Sequence, residues 1–215
     1  MKTIAVISQK GGAGKTTIAL NLAVAAIRSG HQCAVIDIDP QASAKCWHDL
    51  RQADSPVVVS AQASRLPEII QTAEQNGAAL VIIDTAPHSE SAALAAARVA
   101  DLVLVPCRPS LLDLKAITTT IDLASLAKTP ALAVLNTVPV RGGLRGEAEQ
   151  VLKGYGIEMI SITLGHRVAF VHSLTAGQGV LEYEPDGKAA NEIMELFNAV
   201  CRHCKWSTLI EKSEA

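Results

Sequence analysis

Aromatic side chains are scarce in this chain: two Trp, two Tyr and two Phe make up 3% of its 215 residues. Its core must therefore be assembled from Ala, Val, Leu and Ile, within an apolar share of 49%. Charge is also low, at 19%, and nearly balanced, with a formal net charge of −2. So apolar a composition excludes a disordered chain. So balanced a charge excludes a protein that coats nucleic acid by bulk electrostatics, while leaving room for a local basic patch. The apolar runs stay at strand length and are interrupted, so no membrane span is expected. The chain enters an apolar strand within its first residues, so no signal peptide is expected. Five cysteines, an odd number scattered along the chain, read as reduced thiols and not as a disulfide framework. The expectation is a cytoplasmic protein with one domain over 1–215, its polar end from 205 onward frayed.

What the chain has in quantity is alternation. Apolar runs at 3–8, 33–37, 57–59, 80–84, 102–106, 131–135 and 157–162 read as strands. Stretches of helical periodicity separate them: 15–29, 43–53, 67–76, 90–98, 110–127, a stretch ending at 153, 167–176 and 187–204. Gly30 and Gly77 stop two of these helices, and Pro67 suits the first turn of one. Ser110-Leu111-Leu112-Asp113 has the layout of a capping box, with Asp where Glu is usual. The unbroken run Leu80-Val81-Ile82-Ile83 suits a parallel strand covered on both faces. Together these predict a doubly wound α/β fold, a mostly parallel sheet with helices on both faces. Such folds bind ligands at the carboxyl ends of the strands.

Three acidic or glycine-rich stretches fall at those ends. Ser8-Gln9-Lys10-Gly11-Gly12-Ala13-Gly14-Lys15-Thr16-Thr17 joins the first strand to the first helix. A glycine-rich turn opening onto a helix N-terminus aims successive N–H groups into one concavity, which suits a phosphate chain. Lys15 can then reach the β- and γ-phosphates and the Thr16 hydroxyl can bind Mg²⁺. The common P-loop pattern puts a glycine where this chain has Gln9, and the chain has an extra lysine, Lys10. Asp84 ends the apolar strand, where a carboxylate can hold Mg²⁺ directly or through water; a helix N-cap is the other use of an aspartate there. Asp37 and Asp39 flank Ile38 at the end of the second strand and point to the same side by strand alternation. Both suit a metal shell or water positioning, and Asp39, lying further out, is the candidate for orienting the attacking water. A turn before Pro40 is the alternative use of one of them.

These motifs resemble the deviant Walker A ATPases of the ParA/MinD superfamily. The resemblance is carried by Lys10 to Thr17, Asp37-Ile38-Asp39-Pro40-Gln41 and Asp84-Thr85-Ala86-Pro87. It continues through Val105 to Ser110 with Asp113, Arg167 to Phe170, Ala176-Gly177 and Glu182 to Ala190. The later segments are similar to ParA, in particular its short, ParF-like members. The resemblance implies a weak ATPase that uses ATP/ADP and Mg²⁺ and forms a homodimer on ATP. Gly11, Gly12, Ala13, Gly14, Lys15, Thr16 and Thr17 would hold the nucleotide, with Thr16, Asp37 and Asp84 at the metal. Lys10 would reach the partner subunit's phosphates, the logic of an arginine finger, and Asp39 would orient water. Asn136, at the end of a late strand, fits by position an asparagine that reads adenine; a turn-forming amide fits equally.

The main functional expectation is plasmid or chromosome partition. The ATP dimer would bind nonspecific DNA, so that the protein is nucleoid-associated, and a centromere-binding adaptor of the ParB/ParG kind would stimulate it. Arg141, Arg145, Lys153, Arg202 and Lys205 are the candidate DNA contacts, each also readable as an ordinary surface charge. The alternatives are a positioning ATPase for another cargo, such as a chemoreceptor array or a microcompartment, or an ATP-dependent amide-forming ligase. Cys201-Arg202-His203-Cys204 has metal-type residues but no second cluster and reads as structural. The cluster cysteines of the nitrogenase iron protein, which shares the deviant loop, have no counterpart motifs. Trp206 to Ile210 is too short for a MinD-like membrane anchor.

Overall fold

The computed structural model describes residues 1–139 and 143–206. Seven strands form one sheet in the order β3-β2-β4-β1-β5-β6-β7, and every pairing is parallel. They are β1 (Lys2–Val6), β2 (Cys33–Asp37), β3 (Val57–Ser60), β4 (Leu80–Asp84), β5 (Leu102–Cys107), β6 (Ala131–Val138) and β7 (Glu158–Gly165). Side-chain alternation divides each strand between two cores. Ile4, Val6, Val35, Ile82, Leu104 and Val134 face one, while Ala5, Ile36, Val81, Ile83, Val103 and Ala133 face the other.

The first core is roofed by α1 (Lys15–Arg28), α2 (Ser43–Leu50), α8 (Val168–Thr175), α9 (Val180–Tyr183) and α10 (Lys188–His203). The second is roofed by α3 (Leu66–Gln75), α4 (Glu90–Val99), α5 (Leu111–Ala116), α6 (Thr118–Ala127) and α7 (Leu144–Gly154). The near-absence of aromatics is met by close approach. Ala19, Ala23, Ala25 and Ala26 of α1 and Ala93, Ala96 and Ala97 of α4 are all buried against the sheet. Alanine lets a helix backbone lie close to its neighbour, so dense packing is reached without large side chains.

The predicted doubly wound sheet is therefore present, with four local differences. The helix expected over 110–127 is two helices, α5 and α6, broken at Ile117. Ile117 to Ile121 is an unbroken β-branched run, stiff at χ1, and the Thr118 hydroxyl donates to the Lys115 carbonyl at 3.0 Å. Strand β6 runs to Val138, past the expected stop, with register irregularities on both sides of Leu135 and Thr137 at φ 57°. Strand β7 extends to Gly165. Helix α9 stands where only a loop was expected. It is one turn long, and a segment of four residues carries no periodicity to read. Among the described residues no helix is long and apolar enough to cross a membrane.

Candidate nucleotide-binding site

Strand β1 lies inside the sheet, between β4 and β5. From Val6 the chain turns back through 7–14 and enters α1 at Lys15, with Gly12 at φ 70° and Gly14 at φ 97°. Gly14 is dictated twice over. Its φ is left-handed, and a Cβ there would lie 2.0 Å from Asn136 Nδ2. Asn136 uses that approach to donate to the Ala13 carbonyl at 2.9 Å, while its own oxygen accepts from the Thr137 amide at 2.8 Å. The first internal hydrogen bond of α1 runs from the Ile18 amide to the Gly14 carbonyl. The amides of Lys15, Thr16 and Thr17 thus have no helical partner, and no acidic residue stands in that turn. Such an N-terminus attracts an anion. Lys15 is buried at its mouth and donates to the Lys10 carbonyl at 3.3 Å. Burial lowers its pKa, and the carboxylates of Asp84 and Asp39 push it back up.

The sheet register sets the acids beside this loop. Asp84 pairs with Val6 on one side and Asp37 on the other. The Asp84 side chain is fully buried, and neither of its oxygens closes a hydrogen bond. Burial pushes its pKa up to about 7, with Asp37 and Asp39 adding to the rise and the neighbouring Thr16 hydroxyl and Lys15 ammonium opposing it. A sequestered carboxylate with both oxygens free, facing a helix N-terminus and a threonine hydroxyl, fits Mg²⁺. That ion uses one or two carboxylates and completes its octahedron with water and substrate phosphate. No group of three or more His, Cys, Asp or Glu among the described residues could hold a metal without such help, and Cys201, His203 and Cys204 form no such group.

Asp37 is engaged differently. One oxygen accepts from the Asp39 amide at 3.1 Å; the other accepts from Ala44 and Lys45 amides at 3.0 and 3.2 Å, closing the start of α2. Burial raises its pKa, against these three bonds, which lower it. Of the two strand-end carboxylates, Asp84 is the one with free oxygens. Asp39 is half-buried, accepts from the Gln41 amide at 2.9 Å, and borders a groove of about 720 Å³. That groove is walled largely by Ala61, Ala63, Ala86, Ala92, Pro40 and Pro87 and contains no basic side chain. A carboxylic acid substrate would meet Asp37 and Asp39 there with no counter-charge, which argues against the ligase alternative.

Lys10 does not extend away from the chain. Its ammonium lies 2.6 Å from Asp113 Oδ1, while Arg108 from the same β5–α5 connection donates to the Gly12 carbonyl at 2.6 Å. Gly12, Gly14, Thr17, Arg108, Asn136 and Arg167 line a second hollow, of about 230 Å³, beside the loop.

Among the described residues, the candidate DNA contacts are divided between two helices on opposite faces of the sheet. Arg145 and Lys153 stand towards opposite ends of α7, with Arg145 bound to the Ser161 carbonyl at 2.6 Å, while Arg202 and Lys205 lie at the end of α10 on the other face. Arg141 and the segment after Trp206 lie outside the described residues.

Several supporting residues leave little or no mark in the sequence. Asn21, buried inside α1, donates to the Thr17 carbonyl and accepts from the Val180 amide, both at 2.8 Å. A lone amide within the apolar run 18–26 was the available signal, since a buried polar group requires a partner. Arg51 forks onto Glu182 at 2.6 and 2.8 Å and reaches the Gly177 carbonyl at 3.0 Å, tying the end of α2 to α9. Nothing in the spacing of residues 131 apart announces that pair.

A strand, a glycine loop and a lysine-bearing helix N-terminus, flanked by an unpartnered strand-end aspartate, define a P-loop nucleotide-binding protein. The chain belongs to the CobQ/CobB/MinD/ParA nucleotide binding domain family, whose pattern matches residues 4–180, and it is an ATPase of the ParA/MinD kind. It is 34% identical over 203 residues to "Maintenance of carboxysome distribution protein A" of Gloeobacter kilaueensis, covering 89% of this chain and 88% of that protein. It is 26% identical to the chromosome partitioning protein ParA of Caulobacter vibrioides, covering 86% and 88%. Its fold is similar to that of the septum site-determining protein MinD of Pyrococcus horikoshii, solved with Mg-ADP. The TM-score is 0.79 at 18% identity, covering 93% of this chain and 95% of that one. The chain is thus a ParA-family positioning ATPase. The expectation of partition is not favoured among its cargoes, because the relative named for carboxysome distribution is the more similar of the two curated proteins.

Proposed function

We propose that this chain is the nucleotide-switched ATPase that distributes a protein-shelled microcompartment of the carboxysome kind. The observation that carries the cargo is the 34% identity, over nearly the whole of both chains, to a protein named for that task. In this reading the amides of 11–17 and Lys15 hold the phosphates, and Thr16 and Asp84 hold Mg²⁺. Asp37 shapes the metal's surroundings from its place under α2, and Asn136 lines the hollow beside the loop. Bound Mg²⁺ would neutralise phosphate charge and set the β- and γ-phosphates in line for attack. Asp39 orients the water, and Lys10 stabilises charge at the phosphates of a second copy. Nonspecific DNA and a cargo-bound adaptor protein are the partners that give the switch direction.

Two experiments test this. Deleting the gene in its source organism, with a fluorescent shell protein as marker, is expected to cluster the microcompartments while leaving plasmid loss rates unchanged. The reverse pattern restores partition as the function. For the site, Lys15→Ala is expected to abolish nucleotide binding. Lys10→Ala should keep monomer binding and lose the dimer formed with a non-hydrolysable ATP analogue; an unchanged dimer would remove the role in trans.

A further inference from the structure

Helix α2 has little apolar packing to hold it. Of its eight residues only Ala44 and Trp47 are buried, so its place depends on polar ties at its two ends. At its start, Asp37 accepts from the Ala44 and Lys45 amides. At its far end, three ties go to one strap of chain, residues 177–182. Trp47 Nε1 donates to the Gln178 carbonyl at 3.2 Å, and Arg51 donates to the Gly177 carbonyl and forks onto Glu182. The strap closes on itself through the Gly179 amide, which donates to Glu182 at 2.9 Å. It fits without slack: a Cβ at Gly177 would lie 2.8 Å from the Leu50 carbonyl, and one at Gly179 would lie 3.0 Å from Val24 of α1. Asn21, fully buried on α1, joins this strap to the phosphate-binding turn. Its oxygen accepts from the Val180 amide and its nitrogen donates to the carbonyl of Thr17, in the first turn of the helix.

We propose that Asn21 is a positioning residue for hydrolysis: it locks the strap to α1, so that α2, and the Asp37–Asp39 segment leading into it, keeps one offset from the bound phosphates. The inference rests on the reading of Asp39 as the residue that orients water. Nucleotide is held by the loop amides and Lys15, and Asn21 occupies none of these groups, so binding survives its loss. Turnover needs more, because Asp39 must stand at a set place against the γ-phosphate, and a misplacement of about 1 Å can cost a hundred-fold. A leucine at 21 would fill the same space and leave the Val180 amide without its acceptor. The strap, and α2 with it, would then be free to shift against α1.

The test uses Asn21→Leu and a pair of strap variants, Val180→Pro and Val180→Ala, each in the full chain carrying Trp206→Phe so that Trp47 alone reports on α2. Proline removes the N–H at the first position of α9, where it is tolerated. Alanine cuts the buried side chain further but keeps the N–H. Asn21→Leu and Val180→Pro are expected to lower basal kcat about ten- to a hundred-fold. Affinity for a non-hydrolysable ATP analogue, by calorimetry, should stay within about three-fold of the parent. Acrylamide quenching of Trp47 should rise in the same two variants, and Val180→Ala should match the parent in both readouts. An amide that only satisfies the end of α9 would lower the melting temperature and leave kcat and quenching at the parent's values, which refutes the proposal. Loss of nucleotide binding in Asn21→Leu, or a Val180→Pro that behaves as Val180→Ala does, refutes it too. Should Asn21→Leu fail to fold, the Val180 pair decides by the same readouts. Asp39→Ala separates the two readings: turnover that survives it removes the role of Asp39, while the quenching still decides whether Asn21 positions α2.

Discussion

Asp84 offers the sharpest test of the site, because its chemistry should be visible in stability without any turnover. Its carboxyl lies near pKa 7, where an ordinary aspartate has 3.8. Between about pH 4 and pH 7 the native state therefore keeps a proton that the unfolded chain has lost. Bound protons then number more in the native state, so stability falls as pH rises through that window and levels off above it. At about 1.4 kcal/mol per pH unit over roughly three units, the ionised carboxylate costs the metal-free protein about 4 kcal/mol at pH 8. Asp84→Asn removes that cost but leaves an amide with unmet donors, a penalty of about 1–2 kcal/mol. The net gain at pH 8 is about 2–3 kcal/mol, or about 5–10 °C in Tm for a chain of this size. At pH 5 the linkage cost to wild type, about 1.5 kcal/mol, roughly cancels the amide penalty of the variant, so the two should melt within a few degrees. The assay is thermal melting in EDTA, without nucleotide, from pH 5 to 8, followed by titration with Mg²⁺ and an ATP analogue. Mg-nucleotide should stabilise wild type and fail to stabilise the variant. A wild type–variant difference that is flat across the pH range would refute the account of Asp84 as an unpaired buried acid.

Three further outcomes rest on local geometry. Gly14→Ala puts a methyl 2.0 Å from Asn136 Nδ2 at φ 97°, so a loss of about 2 kcal/mol or more in urea unfolding is expected, with loss of nucleotide binding by calorimetry. Ala42, the N-cap of α2, sits at φ 51°; Ala42→Gly should relieve left-handed strain and raise stability by about 0.5–1 kcal/mol, read as a shift in denaturant midpoint. Arg51→Ala leaves Glu182 half-buried without its fork, so a loss of about 3 kcal/mol is expected, and Glu182→Gln should cost less than Arg51→Ala.

The loop, the strand-end aspartates and the sheet were legible because each is written locally. A glycine at positive φ, a lysine at a helix mouth and a run of four apolar residues leave marks at fixed short spacing. The strand order, which sets Asp84 between Val6 and Asp37, was not written in any one stretch. Nor was the division of labour among the aspartates. Asp37 and Asp84 are both strand-end acids in sequence. Only the fold shows that α2 presents its first amides to one and leaves the other bare. Asn136 reads in sequence equally as an adenine contact or as a turn-forming amide, and the structure gives it a local task, since its amide donates to the Ala13 carbonyl, its oxygen accepts from the Thr137 amide, and its closeness makes glycine obligatory at 14. Sequence separation is what hid Lys10–Asp113 and Arg51–Glu182, pairs that exist only after β1, β5, α2 and α9 are in place.

The scarcity of aromatic residues has an optical consequence. Only two indoles report on this molecule, and they stand in unlike surroundings. Trp47 is buried on α2, the helix whose first amides are held by Asp37. Its ring nitrogen donates to the Gln178 carbonyl at 3.2 Å, with the Arg51 guanidinium 4.9 Å from the ring centroid. Trp206 lies against the His31 ring, with centroids 4.5 Å apart. A Trp206→Phe variant would thus carry one indole, which can be excited selectively at wavelengths where tyrosine does not absorb, fixed to the element that follows the D-x-D-P-Q segment. Nucleotide loading, dimer closure and phosphate release could each be timed from its emission, with no dye attached to the chain.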